Sequence, residues 1–295
     1  MFEFNSNALK SKEPVALPFS LAGDSVTRVW FMGGLFMLAV LVILLPASYL
    51  DIRQLDGNWI LAKPIKFSLA LALHFFTLAF VAQQLSANKR NGWGLRFIAY
   101  AAILSMLFEQ IYITLQAARG TRSHYNFESE LSVSLYQLMG LGAFTLVLAS
   151  FVLGVMVWRH GEKDGSGLRL GSIIGLTVGS VLTLIFAGYM SSQPSPLVGH
   201  AVQGAKNMAV VGWASDRGDL RIAHFLATHL MQILPLLGLL ADKVQSRYPA
   251  SVSPRKLVTL TSIVLVLVSV GLFYQAVSGQ PLFNLFQPLA SATNN

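Results

Sequence analysis

The stretch LSVSLYQLMGLGAFTLVLASFVLGVMVW, residues 131–158, carries no charged side chain from end to end. As an α-helix it would be about 42 Å long at a rise of about 1.5 Å per residue, more than the roughly 30 Å hydrocarbon core of a bilayer. A helix that is apolar on every face is at home where its surroundings are apolar on every face, and in lipid its backbone groups are satisfied within the segment.

Comparable runs lie on both sides of it. Val29–Leu50, Phe67–Leu85, Leu170–Met190 and Leu257–Val277 are equally free of charge. Arg96–Ala118 and Leu220–Ala241 are long enough but hold Glu109 in the first and His224, His229 and Gln232 in the second. The chain therefore reads as an all-α integral membrane protein, a seven-transmembrane helix bundle with spans at 29–50, 63–85, 96–118, 131–158, 168–190, 220–241 and 256–277. These form one membrane domain, 29–277, between an N-terminal segment 1–28 and a tail 278–295.

Composition agrees. Of 295 residues, 54% are hydrophobic and 12% charged, where an ordinary soluble domain has about 25% charged; disorder, collagen and a soluble globule are all excluded. The net charge of +8 would raise nucleic acid as a partner of a soluble protein. Here the bases sit between the apolar runs, so the bilayer is the partner and no nucleic acid is expected. The chain has no cysteine, which excludes disulfides, thiolate-bound iron–sulfur clusters, covalent c-type haem and Cys zinc sites but says nothing of compartment. Both acids and bases occur in the first 28 residues, and no small-residue cleavage site follows the first apolar run, so a retained first helix is expected rather than a cleaved signal.

Lysines and arginines alternate unevenly between the two sides. Lys10, Lys12, Arg28, Lys89, Arg90, Arg96, Arg159, Lys163, Arg169, Lys243, Arg247, Arg255 and Lys256 fall on one side, the smaller remainder on the other. The positive-inside rule then puts the N-terminus in the cytoplasm and the C-terminus outside, in a multi-pass inner-membrane protein. The longest connection, Ser191–Asp219, starts with the breaker run SSQPSP and is expected over the outer mouth. Pro281–Phe286 suits an interfacial anchor. No internal repeat of the kind common in secondary transporters is evident. Gly171, Gly175 and Gly179 form a smooth ridge on the fifth helix, suited to tight packing within the bundle or to a homo-oligomer contact.

The informative residues are the polar ones inside spans, because each costs several kcal/mol unless it faces protein or water. They fall into three stripes. Lys63, Lys66, His74 and Thr77 share one face of the second helix, and Glu109, Tyr112, Gln116 and Arg119 one face of the third. The latter runs into a polar loop with Arg122, His124 and Asn126. On the sixth helix Arg221, His224, Thr228 and Gln232 align, His229 stands off to one side, and Asp219 is placed to cap the N-terminus. Each stripe starts at the outer end and descends about 12–16 Å at about 1.5 Å per residue, to a similar depth. The expectation is an outward-facing cavity rimmed by Arg, Lys and Asp and floored by His74, Glu109, His229 and Gln232.

Three functions fit such a cavity. A carboxylate beside histidines, under a basic rim, suits binding or transport of a proton-coupled or anionic small molecule. His74, Glu109, His224 and His229 could instead ligate a transition metal, or His74 and His229 a haem b, in a redox protein. In the third, the polar stripes are internal glue in an assembly scaffold. No HExxH metalloprotease pattern is present, and Lys256 lies at the start of the seventh helix, where a retinal Schiff base of the rhodopsin kind has no place. The runs EQIYITLQAARGTRSHYN (109–126) and GDLRIAHFLATHLMQILP (218–235) concentrate the chemistry.

Overall fold

The computed structural model describes residues 25–282, apart from 162, 164, 165, 203, 204, 206, 209, 210, 250 and 251. Most of the N-terminal segment and the tail from residue 283 lie outside that range, including most of the anchor expected at 281–286. The elements are α1 (Ser25–Leu50), β1 (Gln54–Leu55), β2 (Asn58–Trp59), α2 (Ala62–Ala82), α3 (Ala87–Arg90), α4 (Trp93–Ala118), α5 (Glu130–His160), α6 (Gly167–Ser191), β3 (Leu197–Val198), β4 (Gly218–Asp219), α7 (Leu220–Arg247) and α8 (Pro254–Val277). Among them, seven helices are long and apolar enough to cross a membrane. The chain is thus a multi-pass, all-α membrane protein.

Every expected span returns as a helix, with ends displaced by a few residues. α2 closes at Ala82, and Gln83–Leu85 turn back by hydrogen bonds to the carbonyls of Phe80, Val81 and Ala82. α7 continues past Ala241 to Arg247, because Asp242 and Lys243 end the apolar run without ending the backbone ladder. Pro235 sits inside α7, which passes through it as one helix. Ser129 caps α5 and Ser166 caps α6, each accepting the backbone N–H three residues on. Asp219 caps α7, its side chain accepting from the Arg221 N–H, as its position implied.

α2 is a central helix, touching α1, α4, α5 and α7. Its Leu71, Phe75 and Leu78 join Trp30 and Met37 of α1, Met106 of α4, Leu146 and Leu153 of α5, Leu176 of α6 and Met231 of α7 in one buried core. α8 packs on α6 and α7 and exposes Leu260, Ile263, Val264 and Leu267. Hydroxyls inside the spans bond back to their own helix: Ser68 to the Pro64 carbonyl, Thr77 to Leu73, Ser262 to Val258. This satisfies a polar group in an apolar setting and accounts for Thr77 without a ligand.

The glycine ridge of α6 is filled by α7 of the same chain. Gly171 lies against the Leu234 carbonyl; a Cβ on Gly175 would sit 2.7 Å from the Leu230 oxygen, and one on Gly179 3.2 Å from the Leu230 side chain. Small residues let the two backbones approach where any side chain would hold them apart. Of the two uses the ridge could have, packing within the bundle is the one it serves in this structure.

Candidate functional site

At one end of the bundle, α1, α2, α4, α5, α6 and α7 are tied together by three connections. The first is a hairpin: Asp56 and Gly57 both have positive φ, 52° and 73°, so the two-residue loop has the twist that lets Gln54 pair with Trp59. The Asp-Gly pair is its signature in the sequence. The second connection, 119–129, docks on this hairpin through a bidentate pair, Arg122 Nε to Asp56 Oδ2 at 2.8 Å and Nη2 to Oδ1 at 2.5 Å. That guanidinium holds the Asp56 carboxyl below its usual range. Both side chains are about half exposed, so the pair positions the loop more than it stabilises the fold.

Asn126 fixes the shape of the same loop. It is buried, donates to the Arg122 carbonyl at 3.2 Å and accepts from the Glu128 N–H at 3.1 Å. Gln116 donates to the Tyr112 hydroxyl at 3.1 Å and accepts from Arg119 at 3.4 Å. Tyr112, Gln116, Arg119 and Arg122 are therefore one hydrogen-bonded set on the end of α4, with Arg119 at the exposed rim.

The third connection, 192–219, returns onto α2 and α7. β3 pairs with β4, Lys66 Nζ donates to the Val211 carbonyl at 3.0 Å, and Arg221 Nη2 donates to the Gly212 carbonyl at 3.0 Å. Asp219 is buried; it accepts from the Ala214 N–H at 2.9 Å and from Arg221 Nε and Nη2 at 2.8 and 2.6 Å. One carboxylate thus caps α7, holds the connection and neutralises Arg221.

Between these pieces lies the basic end of α2. Lys63 Nζ donates to Ser123 Oγ at 2.7 Å, and Ser123 Oγ is 3.3 Å from His124 Nδ1. The His124 ring is wedged between Phe67, 6.1 Å away, and Tyr136 of α5, 5.6 Å away. Burial, reinforced by the Lys63 charge, holds this imidazole well below its usual range, so it is neutral at pH 7. Tyr125, at φ 54°, donates to the Met190 carbonyl of α6 and packs on Tyr136 at 5.4 Å. Nothing in the sequence singles out Ser123, Tyr136 or Asp56. Ser123 and Asp56 sit in polar loops without a period to mark them, and Tyr136 is one aromatic in an apolar span.

Deeper in the bundle, Glu109 is 2% exposed, and its Oε1 has no hydrogen-bond partner among the described residues. It lies within electrostatic reach of Lys63 but makes no ion pair with it. Gly142 of α5 gives it room: a Cβ there would stand 3.0 Å from Oε1. His74 is 8% exposed with Nε2 unpartnered; its ring lies beside the Leu146 backbone and within electrostatic reach of His229. The His229 ring lies 4.2 Å from that of Phe225, tilted by 60°, next to Gln232, whose buried Oε1 is likewise unpartnered among the described residues. His224 turns to the Thr183 backbone on α6 but stays within electrostatic reach of His229, and its Nδ1 has no partner among the described residues.

The structure therefore divides the expected constellation. Lys63, Lys66, His124 and Arg221 gather at this end of the bundle, and below them His74, Glu109, His224 and Gln232 each carry a buried polar atom without a partner among the described residues. His74, Glu109, His224 and His229 do not form a metal-holding group: among the described residues no three His, Asp or Glu side chains are so arranged. Two surface clefts, about 490 and 470 Å³, open at the opposite end of the bundle, the first lined by Asn88, Lys89, Trp93 and His160, the second by Trp158, Arg159, Lys163, Arg169 and Arg255. Neither touches the stripes. Comparisons of the chain with protein-family models, with curated proteins and with solved structures find no match, so the site is read from its own geometry.

Proposed function

We propose that this chain is an inner-membrane protein, N-terminus inside and C-terminus outside, whose outer end binds an anionic small molecule. The observation that carries the reading is a surplus of positive charge at the outer end of α2. Lys63 and Lys66 touch no carboxylate among the described residues, and Lys63 spends its one hydrogen bond on a neutral hydroxyl. A partly buried ammonium without a counter-ion is costly, and a ligand anion removes that cost. Arg221 contributes less, because Asp219 already neutralises it.

In this reading the anion sits on Lys63 and Lys66, with the Ser123 hydroxyl and the neutral His124 ring as uncharged hydrogen-bond partners. Glu109, deeper and within reach of the Lys63 charge, meets the ligand's opposite end or exchanges a proton with it. The connection 192–219, pinned to α2 and α7, restricts entry from outside. No observation favours the metal or haem reading over this one.

The test is calorimetric titration of detergent-purified protein at pH 7 and low salt with acetate, succinate and inorganic phosphate. Saturable binding of one of them is expected. Lys63→Met should weaken it roughly tenfold to a hundredfold, the loss of one charge-assisted hydrogen bond. Lys243→Met, at the far end, should leave it unchanged. No saturable binding of any of the three, or equal affinity in Lys63→Met, overturns the proposal.

A further inference from the structure

The second surface cleft lies at the end of the bundle remote from the stripes and is independent of them. Its walls are the last turn of α5, the first turn of α6 and the first turn of α8. Four cations line it, Arg159, Lys163, Arg169 and Arg255, with Trp158 and no carboxylate among the described lining residues. Asp242 is already engaged: it accepts the Gly167 and Leu168 N–H groups at 2.8 Å each, capping α6.

Arg169 is held in place rather than waving in solvent. Its Nη2 donates to the Trp158 carbonyl at 2.9 Å, while its Nε is buried and has no partner among the described residues. A cleft of about 470 Å³ lined by four cations and no described carboxylate favours an anion. Arg159 stands 6.0 Å over the Trp158 ring, and that ring is 58% exposed. Tryptophan and arginine together mark the level of lipid headgroups. Next to the cleft, α8 presents Leu257, Leu260 and Val264 outward, an apolar wall down which acyl chains can run.

We infer that this cleft binds the phosphate of an anionic phospholipid, with Arg169 and Arg255 on the headgroup, Trp158 and Arg159 at the glycerol level and the chains along α8. Basic pockets between transmembrane helices recognise lipid phosphates in this way. The headgroup phosphate and the apolar wall are both needed, which separates a lipid from a free phosphate.

The experiment is native mass spectrometry of the full chain released from detergent with equimolar phosphatidylglycerol and phosphatidylcholine of matched chains. The wild type should retain phosphatidylglycerol preferentially. The double variant Arg159→Gln, Arg255→Gln changes two exposed residues and should fold; it should lower that preference about fivefold per charge removed, the worth of a cation beside anionic lipid. Lys243→Gln, Arg247→Gln removes the same charge at the same end outside the cleft and should change little. Equal retention of the two lipids by the wild type, the same loss in both double variants, or full displacement by soluble glycerol phosphate would each overturn the inference.

Discussion

Substituting the α6 glycines one at a time by alanine should produce a graded series, because their surroundings differ in a way the backbone alone sets. At Gly171 the new methyl would run into the Leu234 carbonyl and come within 2.6 Å of its carbon. Backbone cannot rotate away, so α6 and α7 must part. Overpacking of this kind costs about 1–3 kcal/mol, against a gain of up to about 1 kcal/mol from replacing glycine in a helix, and a net loss of about 2 kcal/mol is expected. At Gly175 the nearest atom, the Leu230 oxygen at 2.7 Å, is again backbone but less intrusive, and about 1 kcal/mol should be lost. At Gly179 the contacts begin at 3.2 Å and include the flexible Met231 side chain, so gain and loss should nearly cancel. Gly188 has nothing within 4 Å, and its alanine variant should be more stable by about 0.5–1 kcal/mol. Thermal unfolding in one mild detergent orders the four variants, with about 2–4 °C for each kcal/mol. A Gly171→Ala protein as stable as Gly188→Ala would refute the packing of α6 on α7 described above.

Two more expectations bear on the end of the bundle that holds Lys63 and Asp219. Asp219→Ala removes the cap of α7, the anchor of the 192–219 connection and the neutralising partner of Arg221 at once; a loss of about 2–3 kcal/mol is expected, and Asp219→Asn should keep part of the cap but not the charge. Chemical unfolding of the two variants side by side checks this, and equal losses would separate the cap from the charge as the dominant contribution. His124 sets a pH dependence. Its folded-state proton affinity is lowered by burial, so below its ordinary value of about 6.5 the unfolded chain takes up a proton that the folded chain refuses. Stability from this residue is complete above that pH and falls as pH drops towards the folded-state value. His124→Gln should flatten that part of the stability profile measured between pH 7 and pH 5, and an unchanged slope would place the ring in solvent.

The seven spans were legible in the sequence because a bilayer imposes its thickness on the chain, and charge-free runs such as 131–158 or 257–277 have one reading. Amphipathic pattern also brought out the stripes on α2, α4 and α7 and the cap at Asp219. What the spacing along single helices could not supply was their mutual rotation. Only packing decided that His229 lies within electrostatic reach of both His74 and His224, that the Gly171–Gly175–Gly179 ridge is spent on α7 of the same chain, and that Lys63 meets Ser123 rather than Glu109. Hairpin geometry at Asp56-Gly57, and its ion pair with Arg122 across 66 positions, likewise need two separate connections brought to one end of the bundle. Local periodicity is written in residues a few places apart; a site made from side chains of different helices depends on crossing angles and depths that no single segment encodes.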